Sequence, residues 1–398
     1  MNFLSDRSNS LSPSETLAMS QKSNELKAQG FDVINLSVGE PDFFTPDHIK
    51  EAAKKAVDNN YSFYSPVPGF MELRKAIAAK LKNENNLDYK PEQIVVSGGA
   101  KQSICNVILS IIGPGDEVIL PAPYWVSYAE MVKLAEGVNV IIHAGIEQDF
   151  KITPAQLEAA ITPKSKAIVL CSPSNPTGSV YSREELKGLA DVLAKYPNII
   201  IISDEIYEHI NYIGGHESIA QFENVRDRVV IVNGVSKGYA MTGWRIGFIA
   251  APQSISGACN KLQSQYTSGP CAIAQKAAEA AYTGDQNCVA DMRAAFQRRR
   301  DLMVKLAREI QGFKVNVPEG AFYIFPECSY YFGKSYNGIT IKDSNDLAMW
   351  LLDVAHVASV GGGAFGAPDC IRFSYAAADQ QLIEAMHRVK ENLAKLTD

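Results

Sequence analysis

The chain contains the stretch Ile199-Ile200-Ile201-Ile202-Ser203-Asp204-Glu205-Ile206-Tyr207, a β-branched run that ends abruptly in polar residues. Such a run is typical of a buried strand. Amphipathic segments such as residues 183–196 separate several similar runs. Continuous apolar strands that alternate with helices predict an α/β fold of three α/β/α layers, in which helices cover both faces of a mainly parallel sheet. The other candidate strands are residues 94–96, 118–120, 138–142, 167–171, 229–232 and 246–250.

The composition limits the size of the domains and the class of partner. A chain of 398 residues is too long for one small core, so one large domain and a smaller one are expected. A hydrophobic content of 46% is ordinary for a globular protein. The net charge of −6 argues against nucleic acid as a partner, because no basic stripe compensates it. The only basic run, Arg298-Arg299-Arg300, is predicted to form a solvated or salt-bridged helix face.

The cysteines and the apolar segments indicate the compartment. The seven cysteines are scattered and include no Cys-x-x-Cys pair, which is typical of reduced thiols in the cytoplasm. Residues 1–10 contain no apolar core of signal-peptide length. The apolar run at 199–202 is far too short to span a membrane. The chain is therefore expected to be soluble and cytoplasmic, with no membrane partner. The cysteines are Cys105, Cys171, Cys259, Cys271, Cys288, Cys328 and Cys370.

Polar and aromatic side chains follow several of the predicted strands. Trp125, Asn175, Asp204 and Lys237 each come at or after the end of a different apolar run. Ligands of parallel α/β sheets bind beyond the carboxyl ends of the strands. These four residues are therefore expected to share one pocket.

Four motifs together resemble the class I aminotransferases of fold type I, in the branch of bacterial-type aspartate aminotransferases. They are Pro-Tyr-Trp at 123–125, Ser-Pro-Ser-Asn-Pro-Thr-Gly at 172–178, Ser-Asp-Glu-Ile-Tyr at 203–207 and Val-Asn-Gly-Val-Ser-Lys-Gly-Tyr-Ala-Met-Thr-Gly-Trp-Arg-Ile-Gly at 232–247. The resemblance covers most of the chain and implies pyridoxal 5'-phosphate as the cofactor, with no metal. It also implies an N-terminal arm with part of the small domain at 1–45, a large cofactor-binding domain at 46–290, and a small α+β C-terminal domain at 291–398.

The resemblance assigns roles around the cofactor ring. Lys237 would be the catalytic amine that forms the internal aldimine and then moves the proton of the substrate α-carbon. Asp204 would keep the pyridine nitrogen protonated. Asn175 and Tyr207 would hydrogen-bond the phenolic oxygen, and Trp125 would stack on the ring. Asn175 and Trp125 would also contact the substrate.

A second set of residues is expected to bind the cofactor phosphate. The segment Ser97-Gly98-Gly99-Ala100-Lys101-Gln102 follows a predicted strand and opens a helical pattern, so the amides at Gly99, Ala100 and Lys101 would bind an anion. Arg245 would provide a bidentate guanidinium. A serine common in the family is replaced by Gly234, so Ser236 is expected to compensate. Tyr64 resembles the tyrosine that reaches the neighbour's phosphate, which implies a homodimer.

The remaining site residues would bind the substrate. Arg372 resembles the arginine that binds the α-carboxylate, and Gly39 resembles a close backbone approach to the same group. The distal carboxylate of aspartate needs a cation, and Lys101 would provide it with help from the hydroxyl of Ser14 or Thr16.

The function expected from this resemblance is a ping-pong transamination. L-aspartate would leave as oxaloacetate, after which 2-oxoglutarate would leave as L-glutamate. Two alternatives keep the fold and the cofactor: an aminotransferase for aromatic amino acids, alanine, kynurenine or prephenate, and a β-eliminating lyase, which ammonia or pyruvate release would reveal. A non-catalytic cofactor-binding regulator is a third. It would need a DNA-binding module, for which no basic recognition helix is evident.

Overall fold

The protein, seen in a computed structural model, is described from residue 3 to residue 397. Met1, Asn2 and Asp398, which the predicted domain ranges include, lie outside the described residues. The α-helices are α1 Asp6–Ser10, α2 Glu15–Ala28, α3 Asp47–Asp58, α4 Met71–Asn85, α5 Ala100–Ile111, α6 Ser127–Leu134, α7 Pro154–Ala160, α8 Arg183–Ala194, α9 Gln253–Tyr266, α10 Ala272–Thr283, α11 Asn287–Arg308, α12 Ser344–Trp350 and α13 Asp379–Leu393. The strands are β1 Ile34–Asn35, β2 Ile94–Ser97, β3 Glu117–Ala122, β4 Val138–His143, β5 Ser165–Cys171, β6 Ile200–Asp204, β7 Val229–Gly234, β8 Gly247–Ala250, β9 Tyr323–Ile324, β10 Ser335–Tyr336, β11 Ile339–Thr340, β12 Val357–Ala358, β13 Val360–Gly361 and β14 Ile371–Ser374.

Seven strands form one sheet in the order β2-β8-β7-β6-β5-β3-β4. Strand β8 is antiparallel to both of its neighbours, and the other pairs are parallel. The prediction of a mainly parallel sheet is confirmed, and each predicted strand in it begins and ends within three residues of the observed one. The single reversal places the start of β8 at the same edge as the ends of the other strands.

Helices pack on both faces of this sheet. Alternate residues of one strand point to opposite faces, so Ile201 joins the core beneath α8 and α10, while Ile202 joins the core beneath α5 and α9. All but one of the residues of β6 are fully buried, as expected for a strand covered on both faces. The predicted three-layer α/β/α architecture is confirmed.

The two ends of the chain share a separate core. Met19 of α2 packs in one cluster with residues of α11, α12 and α13. Strand β1 pairs in parallel with β12, with Ile34 opposite Val357. Strands β13, β14 and β9 form an antiparallel sheet nearby. The N-terminal segment is thus joined to residues more than 300 positions later by a shared apolar core and backbone hydrogen bonds.

A buried ionic network lies beneath the loop that follows β6. The Lys80 ammonium, at the inner face of α4, pairs with the Glu208 carboxylate, and the Asn85 and Asn233 amides donate to the same carboxylate at 2.9 and 2.8 Å. Glu205 accepts from two serine hydroxyls and lies 3.0 Å from His216. Glu205 and Glu208 are thus anchored inside the protein on both sides of Ile206 and Tyr207.

Replacing Lys80 by methionine is expected to lower the free energy of unfolding by about 3–5 kcal/mol, because it leaves the buried Glu208 carboxylate without its cation. Urea denaturation of the purified protein measures the change. The matched control is Lys82→Met, an exposed position of the same helix, which should change stability by less than about 0.5 kcal/mol. Equal effects of the two substitutions would contradict the importance of the buried pair.

The basic run 298–300 has the expected salt-bridged character. Arg299 makes two hydrogen bonds to Asp42 at 2.7 and 2.9 Å and one to Asp379 at 3.2 Å, and Arg298 also pairs with Asp379. These guanidinium groups are thus neutralised within the chain.

Between residues 3 and 397, no helix is both long enough and apolar enough to cross a membrane.

Candidate active site

The carboxyl ends of the central strands open into a cavity of about 370 Å³. Polar residues that are far apart in the sequence meet there because β2, β3, β5, β6 and β7 all end at this edge. The structure brings together thirteen of the predicted site residues as lining: Ser14, Thr16, Gly39, Ala100, Lys101, Trp125, Asn175, Asp204, Tyr207, Ser236, Lys237, Arg245 and Arg372.

Lys237 lies three residues after β7, and its amine is inside the cavity. The Nζ atom donates to the Gly39 carbonyl oxygen at 2.6 Å. Burial lowers the pKa of Lys237 to about 8, although the Glu40 carboxylate opposes this shift. About a tenth of the amine is therefore uncharged and nucleophilic at pH 7, far more than for an ordinary lysine.

Asp204 ends β6 and is fully enclosed. Its Oδ2 atom accepts from the Tyr128 hydroxyl at 2.5 Å, and its Oδ1 atom accepts from the Ile206 N–H at 3.2 Å. Burial raises the pKa of Asp204 to about 6, and these two donors limit the rise. The carboxylate is thus ionised at neutral pH and able to stabilise a cation in the cavity.

Arg372, Asn175 and Tyr207 also line the cavity. The Arg372 guanidinium is buried, donates to Asn175 Oδ1 at 2.8 Å and to the Ser37 carbonyl at 2.6 Å, and leaves its Nε without a partner. The Tyr207 hydroxyl hydrogen-bonds the Tyr323 hydroxyl at 2.7 Å. Within residues 3–397, no carboxylate forms an ion pair with Arg372, so this guanidinium is available to an anion.

The start of α5 and the Arg245 side chain place hydrogen-bond donors side by side at the cavity. Helix α5 has no side-chain cap, and its N-cap residue, Gly99, has φ of +95°. A Cβ on Gly99 would overlap the Arg245 guanidinium, which donates to the carbonyls of Thr242 and Gly98 at 2.8 and 3.1 Å. Free N–H groups beside a fixed guanidinium bind phosphate well. The cavity thus fits the phosphate and the ring of the pyridoxal phosphate implied by the resemblance.

Two predicted residues do not line the cavity. Gly99 lies directly under Arg245, so its contribution is the space that its missing side chain leaves. Tyr64 is 98% exposed on the surface of this chain. The departure at Gly234 has a steric reason, because a Cβ there would lie 2.7 Å from the Ile246 carbonyl oxygen of the adjacent strand segment.

Several lining residues were missed by sequence reasoning. Tyr128, Cys171, Thr242 and Tyr323 all face the cavity. Tyr128 follows Trp125 by three residues, a spacing that places both side chains on one side of a helical turn, so a signal was present. Tyr323 comes from the small sheet formed late in the chain, and nothing in its local sequence indicates a place beside Tyr207.

The lowered pKa of Lys237 predicts a distinct labelling profile. Acetylation of the cofactor-free protein with limiting reagent, followed by mass spectrometry, should show Lys237 becoming reactive with a midpoint near pH 8, because only the uncharged amine reacts. A free lysine derivative with a blocked α-amine, added to the same reaction, serves as the control and titrates near pH 10.4, the ordinary lysine value. A Lys237 midpoint equal to that of the free lysine derivative would contradict the effect of burial.

Comparison with known proteins identifies relatives over the whole chain. Residues 32–389 match the family of class I and II aminotransferases. A bifunctional aspartate aminotransferase and glutamate/aspartate-prephenate aminotransferase of Petunia hybrida is 49% identical over 99% of this chain and 83% of its own length. An aspartate/prephenate aminotransferase of Cereibacter sphaeroides is 48% identical, and the match covers 100% of this chain and 100% of that protein.

Solved structures agree with the sequence relatives. The aspartate aminotransferase of Rhizobium meliloti superposes with a TM-score of 0.96 at 41% identity, over 100% of both chains. The Thermus thermophilus aspartate aminotransferase with maleate superposes with a TM-score of 0.92 at 40% identity, over 98% of this chain and 100% of its own. The site geometry and these similarities agree, and the chain belongs to the class I and II aminotransferases, which depend on pyridoxal phosphate.

Proposed function

We propose that this protein is an aspartate aminotransferase, which converts L-aspartate and 2-oxoglutarate to oxaloacetate and L-glutamate by a ping-pong mechanism. One observation carries the proposal: besides Arg245 beside the start of α5, a single cavity contains the Lys237 amine and two cations, Arg372 and Lys101, that pair with no carboxylate within residues 3–397. An amine and two unpaired cations suit an amino acid with two carboxylates. Since both half-reactions use dicarboxylates, the same cations serve both substrates.

The residues on the cofactor side have separate tasks. Bound pyridoxal phosphate supplies an aldehyde that condenses with amines and a ring that accepts electrons from the α-carbon. Lys237 would hold the cofactor through Nζ and would move the α-proton with the same atom, and the Asp204 carboxylate would keep a proton at the ring nitrogen. Asn175 and Tyr207 would bind the phenolic oxygen, and the Trp125 ring would restrict tilting. Gly99, Ala100, Lys101, Ser236 and Arg245 would bind the phosphate.

The residues on the substrate side orient the two carboxylates. Arg372 binds the α-carboxylate, and its unpartnered Nε is a further donor for an anion. Gly39 lies beside it, and its carbonyl accepts from Lys237. Lys101 lies 5.1 Å from the centre of the Trp125 ring and binds the distal carboxylate. The hydroxyls of Ser14 and Thr16, at the start of α2, assist it.

The active site is proposed to be shared between two copies of the chain. Phe63 and Tyr64 are 85% and 98% exposed, and large aromatic side chains left in solvent are typical of protein interfaces. Tyr64 would reach the phosphate of the partner. The division into an N-terminal arm at 1–45, a large domain at 46–290 and a small domain at 291–398 is supported by the separate apolar cores of the sheet and of the chain ends. A cytoplasmic location is supported by the scattered cysteines.

The first test is the absorbance spectrum of the purified holoenzyme mixed with L-aspartate alone. We expect the visible band of the lysine-bound cofactor to convert to the band of its aminated form, without any 2-oxo acid. Conversion with tyrosine, phenylalanine or alanine but not with aspartate would overturn the aspartate assignment. No visible band after addition of pyridoxal phosphate would contradict a functional cofactor site.

Prephenate is a second candidate acceptor. Two relatives with 48–49% identity carry prephenate in their names together with aspartate. Prephenate has two carboxylates, so Arg372 and Lys101 could bind it as they bind aspartate. Amino transfer from L-aspartate or L-glutamate to prephenate, followed by chromatography of the product, tests this activity.

Replacing Lys101 by alanine should lower kcat/KM for L-aspartate by about 10- to 100-fold, because a charged hydrogen bond to the distal carboxylate is lost. Turnover of L-alanine, which lacks that carboxylate, should change less than about threefold. The matched control is Lys166→Ala, an exposed lysine of β5. Equal losses for both substrates would contradict the specificity role of Lys101.

A further inference from the structure

Tyr323 contacts both Tyr207, on the cofactor side of the proposed site, and Arg372, on the substrate side, and it is not among the site residues that the sequence predicts. It is the first residue of β9, is fully buried, and lines the cavity. Tyr323 pairs with Ser374 of β14, and Arg372 belongs to β14 as well. The pairing of β9 with β14 therefore places Tyr323 near Arg372. The Tyr323 side chain therefore lies in the same cavity as the Lys237 amine but is not itself a reacting group.

The hydroxyl of Tyr323 contacts Tyr207. The two oxygen atoms are 2.7 Å apart, and the two rings meet edge to face with centroids 5.9 Å apart. Each hydroxyl has one hydrogen, so only one of the two can donate in this bond. If Tyr323 donates, the hydrogen of Tyr207 is left to point at another acceptor in the cavity. Burial raises the pKa of both phenols, so both retain their hydrogens at neutral pH.

The ring of Tyr323 contacts Arg372. The guanidinium carbon lies 4.6 Å from the centre of the Tyr323 ring and 4.9 Å from that of Phe365. Two aromatic contacts, with hydrogen bonds to Asn175 and Ser37, hold the guanidinium in one orientation. A Cβ on Gly39 would overlap the Tyr323 hydroxyl, so the close approach attributed to Gly39 also makes room for this tyrosine.

We propose that Tyr323 is a positioning residue with two separable actions: its hydroxyl donates to Tyr207 and orients the Tyr207 hydrogen toward the cofactor, and its ring orients Arg372 for the substrate carboxylate. The inference rests on the proposed roles of Tyr207 and Arg372. It goes beyond them because one side chain outside the predicted set couples cofactor binding to substrate binding.

Two substitutions separate the actions. Tyr323→Phe removes the hydroxyl and keeps the ring. The apparent pKa of the visible cofactor band should then rise by up to about one unit, because the hydrogen bond from Tyr207 to the phenolic oxygen of the cofactor is less well oriented. The Kd of succinate, an unreactive dicarboxylate, should stay within about twofold. Tyr323→Leu removes both, so that it should also weaken succinate binding by about tenfold.

Parallel variants show whether Tyr323 acts through its partners. In the Tyr207→Phe background, adding Tyr323→Phe should produce no further shift of the band, because the group it orients is absent. Thermal unfolding of each holoenzyme identifies any variant that loses its fold. A shift of the same size in both backgrounds, or equal succinate affinities for Tyr323→Phe and Tyr323→Leu, would overturn the inference.

The same set distinguishes failure of this inference from failure of the proposed function. If Tyr207→Phe moves the band and Arg372→Leu abolishes succinate binding while both Tyr323 variants behave as wild type, the inference fails and the proposed function stands. If Tyr207→Phe and Arg372→Leu also behave as wild type, the proposed function fails as well.

Discussion

Lys237→Ala is expected to lower kcat for amino transfer by at least about 10³-fold while the fold and cofactor binding remain. Within residues 3–397, Lys101 and Lys237 are the two lysines that line the cavity, and the Asp204 carboxylate already accepts hydrogen bonds from the Tyr128 hydroxyl and the Ile206 N–H. Loss of a positioned proton-transfer group alone costs about 10²- to 10⁴-fold. Steady-state rates with L-aspartate and 2-oxoglutarate measure the loss.

Lys237→Arg is a useful companion because it keeps a positive charge in the cavity. A guanidinium stays protonated at every working pH, so this variant should be as inactive as the alanine variant. Dialysis against buffer should leave the cofactor phosphate bound in both, held by Arg245 and the start of α5. Substantial activity of either variant would contradict the role of Lys237 as the catalytic amine.

Mixing subunits extends this test to the proposed dimer. Tyr64→Ala chains retain Lys237, and Lys237→Ala chains retain Tyr64, so a hybrid dimer has one complete site if Tyr64 reaches the partner. Unfolding and refolding the two variants together should restore roughly one quarter of wild-type activity, since half of randomly paired dimers are hybrids. No recovery above the two separate variants would contradict a shared site.

Arg372→Leu is expected to lower kcat/KM for L-aspartate by about 10²- to 10³-fold. The guanidinium is 2% exposed and two aromatic rings enclose it, so its bond to a carboxylate is little screened by water. Truncating one partner of a buried, hydrogen-bonded charge pair costs about 2–5 kcal/mol. Kinetics over a range of aspartate concentrations measure the change.

The control substrate for this variant is β-alanine, which is aspartate without the α-carboxylate. The slow conversion of the cofactor band by β-alanine should fall far less than the reaction with aspartate. The control variant is Arg308→Leu at the exposed end of α11, which should keep wild-type kinetics. Similar losses with aspartate and β-alanine would show that Arg372 acts on the fold and not on the α-carboxylate.

The local sequence was sufficient to predict the central sheet. Runs such as 199–202 are apolar at every position because both faces of the sheet are covered, and this signal is independent of the rest of the fold. It could not show that β8 is antiparallel, because an apolar run has the same pattern in either direction. The place of Arg245 at the shared edge follows from that reversal.

The motifs predicted most of the cavity, since residues at the ends of neighbouring strands meet by topology. They did not reveal the supports behind those residues. Glu205 and Glu208 face away from the cavity into a network with Lys80 and His216, whose partners lie on other elements. Tyr128, whose hydroxyl donates to Asp204, follows Trp125 by three residues, and this helical spacing was the one weak indication in the sequence that it lies beside the site.

Strand periodicity, which is a local property of the chain, was sufficient to predict the three-layer fold, and the resemblance carried by contiguous motifs implied the cofactor class and thirteen of the residues that line the cavity. Only the tertiary structure decided that Tyr323 meets Tyr207, Arg372 and Gly39. These contacts join residues of four separate segments, and their strength depends on burial and on hydrogen-bond geometry. Both of these arise only when the ends of the chain pack together beside the central sheet.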